Sequence, residues 1–465
     1  MSYPAPFNKA RDKEEKFYFT KKQNNTKTDQ IEFAYSNIVS SKITRIEKNN
    51  IMSIDKGYIS INSDIKTNTQ KGLYLKANLP YVNLDDFISV YSEGDSGSGF
   101  KIDKADIALK HADLFDRRFN NMKIEIAPVS ASTKFKISSN ETSGNLLWTE
   151  KDNKLTARLN GLKLPNEIKK ISSTQSSSSQ KIPNLDIKID SLEVDGKKVG
   201  KLELVSMTSK QNINIQKFKI INDKNIFQAE GDWIDWNNNP ISNINFSWKI
   251  SNLGETLNFL GFPNFVKDGE ADVSGQLRWP GNPFSFDKTK VDGSFNLDVR
   301  KGIVQKVEPG IGRLFGLLTL QSLPRRLSLD FRDLFGSGFV LDTMNVAVRV
   351  NNGIMKTSNF RMDGPAAEVF MSGEINIIKE TQDLNLKVTP HISDSLSIAA
   401  LAGGPLVGAV AFIAQKILKD PLNKVLTSEY RIIGTWEKPE EVNNSATDKI
   451  KTTIDNTKNL FNDKK

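Results

Sequence analysis

The chain has 465 residues, with 64 Lys+Arg against 55 Asp+Glu for a net charge of +9, no cysteine and two histidines. The missing cysteine excludes a disulfide framework, a thiolate metal centre and a thiol nucleophile, and His111 and His391 alone exclude a multi-histidine metal site within one chain. A hydrophobic fraction of 38%, 26% charged residues and a mean hydropathy of −0.42 describe a chain with much exposed surface for its length, which suits an elongated sheet-rich body better than a compact enzyme.

Length alone predicts about two to four domains. The excess positive charge is spread along the chain rather than gathered in blocks, the pattern of solvated faces, and no nucleic-acid partner is expected.

The N-terminus, MSYPAPFNKARDKEEKFYF, lacks a basic stretch followed by an apolar one, so neither a secretory signal nor a membrane anchor is visible in it. Residues 1–30 are polar and Lys-rich and are expected to fray. Gly94, Asp95, Ser96 and Gly97 match the tetrapeptide around a trypsin-like serine, but both histidines follow Ser96, whereas that mechanism's chain order is His, Asp, Ser. EGDSGSG therefore reads as a loop. Residues 171–181 (within SSTQSSSSQ and its flanks) read as a flexible loop that separates a first part, 1–170, from a second, 182–436.

Beyond that loop, alternation of period two dominates. Ile187, Ile189 and Leu192 mark one strand, Ile213, Ile215, Phe218 and Ile220 the next, then Ile244, Phe246, Trp248 and Ile250, then Phe295, Leu297 and Val299. Such strands carry one apolar and one polar face, as in antiparallel sheet with one wetted side. Val194, Asp195 and Gly196, and Asn351, Asn352 and Gly353, predict tight hairpins. A loose repeat, Gly-x-x-x-Trp or Gly-x-Trp, recurs at Gly144 and Trp148, Gly231 and Trp233, Gly275 and Trp279, and Gly434 and Trp436.

Three helices are expected among the strands, at residues 253–262, 309–323 and 405–418. The last lies in an uncharged run from Ser395 to Gln415, long enough to span a bilayer. Gly403, Gly404 and Pro405 break that run, and the helix after them is roughly 21 Å long, short of the ~30 Å hydrocarbon core. It is therefore read as interfacial or as core rather than as a span. Residues 437–465 read as a polar, disordered tail. No P-loop, dinucleotide fingerprint, zinc-protease or EF-hand pattern occurs, no cofactor or metal is expected, and nothing argues for an enzyme.

Several long stretches resemble the C-terminal region of the YhdP family, the large AsmA-like envelope proteins of Gram-negative bacteria. They are GLLTLQSLPRRLSLDFRDLFGSGF (316–339), NFRMDGPAAEVFMSGEI (359–375), LAGGPLVGAVAFIAQKIL (401–418) and IIGTWEKP (432–439), with a weaker echo in NLLWTEKDNKLTARLNGLKLP (145–165). The resemblance implies a mainly β fold, an elongated, twisted antiparallel β-groove with a few short helices near its C-terminal end. It implies phospholipid as the partner, carried between inner and outer membranes with its tails in the groove. It places the helix after Pro405 at the outer-membrane end, with Leu406, Val407, Val410, Phe412, Ile413 and Ile417 as membrane or lipid contacts. Leu314, Phe315, Leu317 and Leu318, followed by Arg325 and Arg326, form a second contact in which the arginines meet phosphate headgroups. Family members begin with an inner-membrane helix and a longer β body, so the resemblance implies either a C-terminal piece or the downstream half of a split gene, the latter with an inner-membrane anchor or upstream half supplied by another chain. The rival expectations are an envelope scaffold built on the same sheet, and an outer-membrane barrel, which 9% aromatic residues and a polar C-terminus disfavour.

Overall fold

The computed structural model describes residues 14, 16–48, 50–63, 71–85, 102–114, 117–164, 182–209, 212–236, 239–283, 286–305, 339–365, 367–391 and 427–442. The chain divides into two compact units, Met1–Asn222 and Asp223–Lys465. Each is a single sheet in which every strand pairs with its neighbour in sequence.

In the first unit the strands are β1 (Phe17–Asn25), β2 (Thr28–Tyr35), β3 (Val39–Lys48), β4 (Ile51–Ile61), β5 (Gly72–Asn83), β6 (Lys104–Leu114) and β7 (Arg117–Val129). They continue as β8 (Ser132–Ser138), β9 (Thr142–Thr149), β10 (Lys154–Leu164), β11 (Asn184–Val194), β12 (Lys197–Ser209) and β13 (Asn212–Ile221). The expected antiparallel order is interrupted three times, because β4–β5, β5–β6 and β10–β11 pair in parallel. A parallel step needs a crossover connection, and these three steps follow long connections: residues 62–71, 84–103 and 165–183.

The second unit is antiparallel throughout: β14 (Asn225–Trp236), β15 (Asn239–Ile250), β16 (Val266–Pro280), β17 (Asp292–Val304), β18 (Phe339–Asn351), β19 (Ile354–Asp363), β20 (Ala367–Asn376), β21 (Thr381–Pro390), β22 (Ser428–Thr435) and β23 (Pro439–Val442). The fold is mainly β, as expected.

Two local features depart from the sequence reading. Residues 17–25, placed in a frayed terminus, form β1, and Pro439–Val442, placed in the tail, form β23. In both cases pairing with a neighbouring strand supplies backbone hydrogen-bond partners that composition does not reveal. The helix expected at 253–262 is α1 (Leu253–Phe259). The helices expected at 309–323 and 405–418, the loop at 171–181 and Ser96 lie outside the described residues.

The tight hairpins form as the sequence predicts. Asp195 and Gly196 have φ of 49° and 74°, and Asn352 and Gly353 have 45° and 74°. This left-handed pair lets β12 and β19 return in register with Val194 opposite Lys197 and Asn351 opposite Ile354. Bulges account for the places where the alternation slips. β13 inserts Gln216 between Lys217, opposite Val205, and Ile215, opposite Ser206. The extra residue lets Ile215 and Phe218, three apart, face the same side.

α1 is held by its first turn. The Asn252 side chain accepts a hydrogen bond from the Glu255 backbone N–H at 2.9 Å, and its amide donates to the Glu255 carboxylate at 3.1 Å. Thr256 is buried and donates through its hydroxyl to the Asn252 carbonyl at 2.8 Å. Asn252→Ala is expected to cost about 1 kcal/mol, read as a lower urea midpoint with an unchanged slope.

Candidate functional site

Strand register places the apolar residues of each unit on one face, in rows that cross the strands. In the first unit one line of register partners runs Ile59, Leu75, Ala105, Ile126, Phe135, Leu146, Ala157, Ile187, Leu204 and Phe218, one residue from each of β4 to β13. At about 4.8 Å per strand, ten strands give a stripe roughly 43 Å long. The two alanines are buried, and the larger side chains are half-buried.

In the second unit the row Ile250, Ala271, Val299, Met344, Met362, Val369 and Val388 crosses β15 to β21. All but Met344 in this row are buried, and they join one hydrophobic cluster with Leu384, Leu386 and Ile432. A second cluster, Trp279, Val291, Val348 and Val350, lines the opposite strand ends. Between the two lies a half-buried strip that includes Phe246, Trp248, Val273, Leu297 and Val346. Phe227 stacks on Phe246 with ring centroids 6.2 Å apart and meets Trp248 edge-on at 6.1 Å, and the Trp248 indole donates to Asn225 Oδ1 at 3.1 Å. The strip is an apolar floor flanked by buried rows.

The Gly/Trp repeat belongs to this face. By register Gly144 lies opposite Leu159 and Trp148 opposite Leu155, while Gly275 lies opposite Phe246 and Phe295. A side chain on Gly275 would reach 2.4 Å from the Ser294 carbonyl and 2.6 Å from Phe295 Cβ. Glycine allows the neighbouring strand to close in, and the tryptophan two or four residues on fills the same face.

The opposite face of each sheet is polar and laced with cross-strand ion pairs. Arg300 meets Asp272 at 2.7 Å, Arg431 grips Asp383 at 3.0 and 2.9 Å, Lys356 meets Glu374 at 2.8 Å and Lys136 meets Glu125 at 3.2 Å. Arg431 holds the Asp383 carboxyl below the usual carboxylate range. Exposed pairs of this kind contribute about 0–1 kcal/mol each; their effect is to keep this face wet. A concavity of about 910 Å³ on the first unit's sheet is lined by Asn62, Lys76, Asp106, Lys123 and Glu125 among others, a charged lining unsuited to hydrocarbon.

The twelve contacts expected from sequence, Leu314, Phe315, Leu317, Leu318, Arg325, Arg326, Leu406, Val407, Val410, Phe412, Ile413 and Ile417, lie outside the described residues. The described strand ends locate where their segments attach. Val304 ends β17 opposite Phe339, which opens β18, and β21 ends at Pro390, two residues past Val388, which lies opposite Ser428 at the start of β22. These are the same ends of the strands from which α1 leaves β15, so connections 251–265, 305–338 and 391–427 root on one margin of the second unit's sheet. Among the described residues no group of three or more His, Asp or Glu could hold a metal, and no helix is long and apolar enough to cross a membrane.

Ile187, Phe218, Ile250 and Val299 are named by the sequence as apolar strand positions, but the first unit's row from Ile59 to Ala157 is not. The signal was present as alternation in YISI, LYLK, KIEIA and FKI, but alternation does not say which strands are neighbours.

The family model described as YhdP protein matches residues 1–441. The chain belongs to the YhdP family. A curated relative, the "Intermembrane phospholipid transporter YhdP" of Escherichia coli (strain K12), is 24% identical over 388 residues, covering 80% of this chain and 30% of the relative. This YhdP-family chain thus spans about a third of the length of that relative. No solved structure matches it.

Proposed function

We propose that this chain binds phospholipids by their acyl tails along its half-buried apolar rows and passes them between the membranes of a Gram-negative envelope, without making or breaking a bond. The observation that carries the reading is the apolar row across ten consecutive strands of the first unit, backed on the other side by a charged, wetted face. The function in the relative's name, intermembrane phospholipid transport, supports the choice of ligand.

The physics suits movement as well as binding. Each methylene taken from water contributes about 0.8 kcal/mol, so a tail is held by contact area rather than by directional bonds. Shifting a tail by one strand exchanges one set of equivalent apolar contacts for another, and a row without polar breaks presents no large barrier. The polar face keeps the sheet hydrated. In this reading the segments holding Leu314 to Leu318 with Arg325 and Arg326, and Leu406 to Ile417, rooted together on one margin, meet the membrane surface. The arginines there pair with phosphate headgroups.

Native mass spectrometry of the purified chain tests this directly. Co-purified phospholipids of mixed headgroup are expected, because the rows read tails. A folded chain that carries no lipid and takes up none from vesicles would remove the proposal.

A further inference from the structure

The apolar face of the first unit has one charged place that tail binding does not explain. By register Lys21 lies opposite Ile31 and Ile31 opposite Ile43, and in the next row Gln23 lies opposite Asp29 and Asp29 opposite Arg45. All of them stand on the side of the sheet that carries the row from Ile59 to Phe218, since Ile43 pairs with Gly57 and Gly57 with Leu73. Asp29 is 1% exposed. It accepts from Arg45 Nε at 2.9 Å and Nη2 at 2.6 Å, and Lys21 Nζ lies 3.4 Å from its second oxygen. The Arg45 hydrogen bonds hold the Asp29 carboxyl below its ordinary range against the opposing effect of burial.

The arrangement is a carboxylate covered by two cations. The anion is sealed off, while the Lys21 side chain is 54% exposed and that of Arg45 23%. Asp29 engages Nε and Nη2 of Arg45 and leaves Nη1 unused by that pair. One negative charge under two positive ones leaves a net positive charge at the surface, held in place by a bidentate contact. Glu47, the next charged residue by alternation on this side of β3, is in no ion pair with Lys21 or Arg45 among the described residues. Beside the cations on the same face are Phe19, Phe33, Ile31 and Ile43. Cations bordering an apolar patch match the two halves of an anionic amphiphile.

We infer that Lys21 and Arg45, positioned by the buried Asp29, bind a phosphate mono- or diester at the β1–β3 end of the first unit's apolar face. The inference deepens the lipid reading and rests on it for the tail, but the phosphate contact stands on the geometry of the three charges alone.

The test titrates the full chain with three probes: short-chain phosphatidylglycerol, a diacylglycerol with the same chains, and inorganic phosphate. The unmodified chain is expected to prefer phosphatidylglycerol over diacylglycerol by about tenfold or more, the low end of a charge-assisted hydrogen bond. Lys21→Gln, at a half-exposed position, is expected to keep the fold and most diacylglycerol binding while cutting that preference about fivefold. Lys21→Glu should abolish it. Inorganic phosphate that displaces phosphatidylglycerol supports a site open to free phosphate, whereas its failure to compete at millimolar concentration supports a headgroup seated by its tails. Equal affinity for the two lipids, or an unchanged preference in both Lys21 variants, overturns the inference. Phosphate binding that depends on Lys21 in a chain that takes up neither lipid upholds this site and removes the transport reading. Binding of none of the three probes overturns both.

Discussion

Leu297→Glu is expected to lower the lipid carried by the purified chain about tenfold or more while leaving the sheet folded. Leu297 sits in the half-buried strip of the second unit, with Val273 opposite on one side and Val346 on the other. In the lipid-free chain a half-exposed carboxylate there stays hydrated, so the native state tolerates it. A hydrocarbon tail laid across the strip would strip away that water with no cation on either neighbouring strand position to replace it. Burying an unpaired charge costs several kcal/mol, more than the contacts of the few methylenes involved return. Asn296→Glu, one residue away on the exposed polar face between Ser274 and Ala347, serves as the control and should leave lipid occupancy unchanged. Native mass spectrometry gives the occupancy and circular dichroism the fold. Full occupancy in a folded Leu297→Glu chain would place the tails elsewhere.

Gly373→Val is expected to destabilise the second unit by about 3 kcal/mol or more. Gly373 lies within β20 with φ of 138°, opposite the buried Leu384 on β21. A Cβ there would stand 2.1 Å from the Asp383 carbonyl oxygen and 2.9 Å from the Leu384 Cα, both backbone atoms that cannot swing aside. The substitution adds an unfavourable backbone conformation to a steric clash in a strand paired on both sides. Gly196→Asn is the matched comparison. Its φ of 74° lies in the left-handed region asparagine tolerates, and nothing lies within 4 Å of the added Cβ. It should cost less than about 1 kcal/mol. Chemical denaturation separates the two, and equal midpoints would contradict the close strand approach at Gly373.

What was legible in the sequence was local. Alternation at Ile187 and Ile189, at Ile244 to Ile250 and at Phe295 to Val299 identified strands with one apolar face, because side chains on a strand change sides with a period of two whatever their partners are. Asp195-Gly196 and Asn352-Gly353 identified hairpins, because few residue pairs adopt two successive left-handed conformations. The segment at 253–262 identified α1, whose Asn252 cap is a local hydrogen-bonding pattern. The long matching stretches identified the family.

Which strands are neighbours, and therefore what the face does, was decided at the tertiary level. The three parallel steps join segments separated by connections whose composition says nothing of direction. The row from Ile59 to Phe218 exists only once nine registers are fixed, and a one-residue slip in any of them would turn that strand's apolar residues to the water. Asp29 and Arg45 are 16 residues apart and look like two ordinary surface charges; pairing of β2 with β3 buries one under the other. The sequence by itself determined that strands would be two-faced and where many of them turn, since those preferences belong to single residues and their immediate neighbours. The tertiary structure decided that the apolar faces of neighbouring strands line up into rows within each unit, and that Asp29 is buried against Arg45 on the apolar side of the first, since alignment is a property of the pairing between strands.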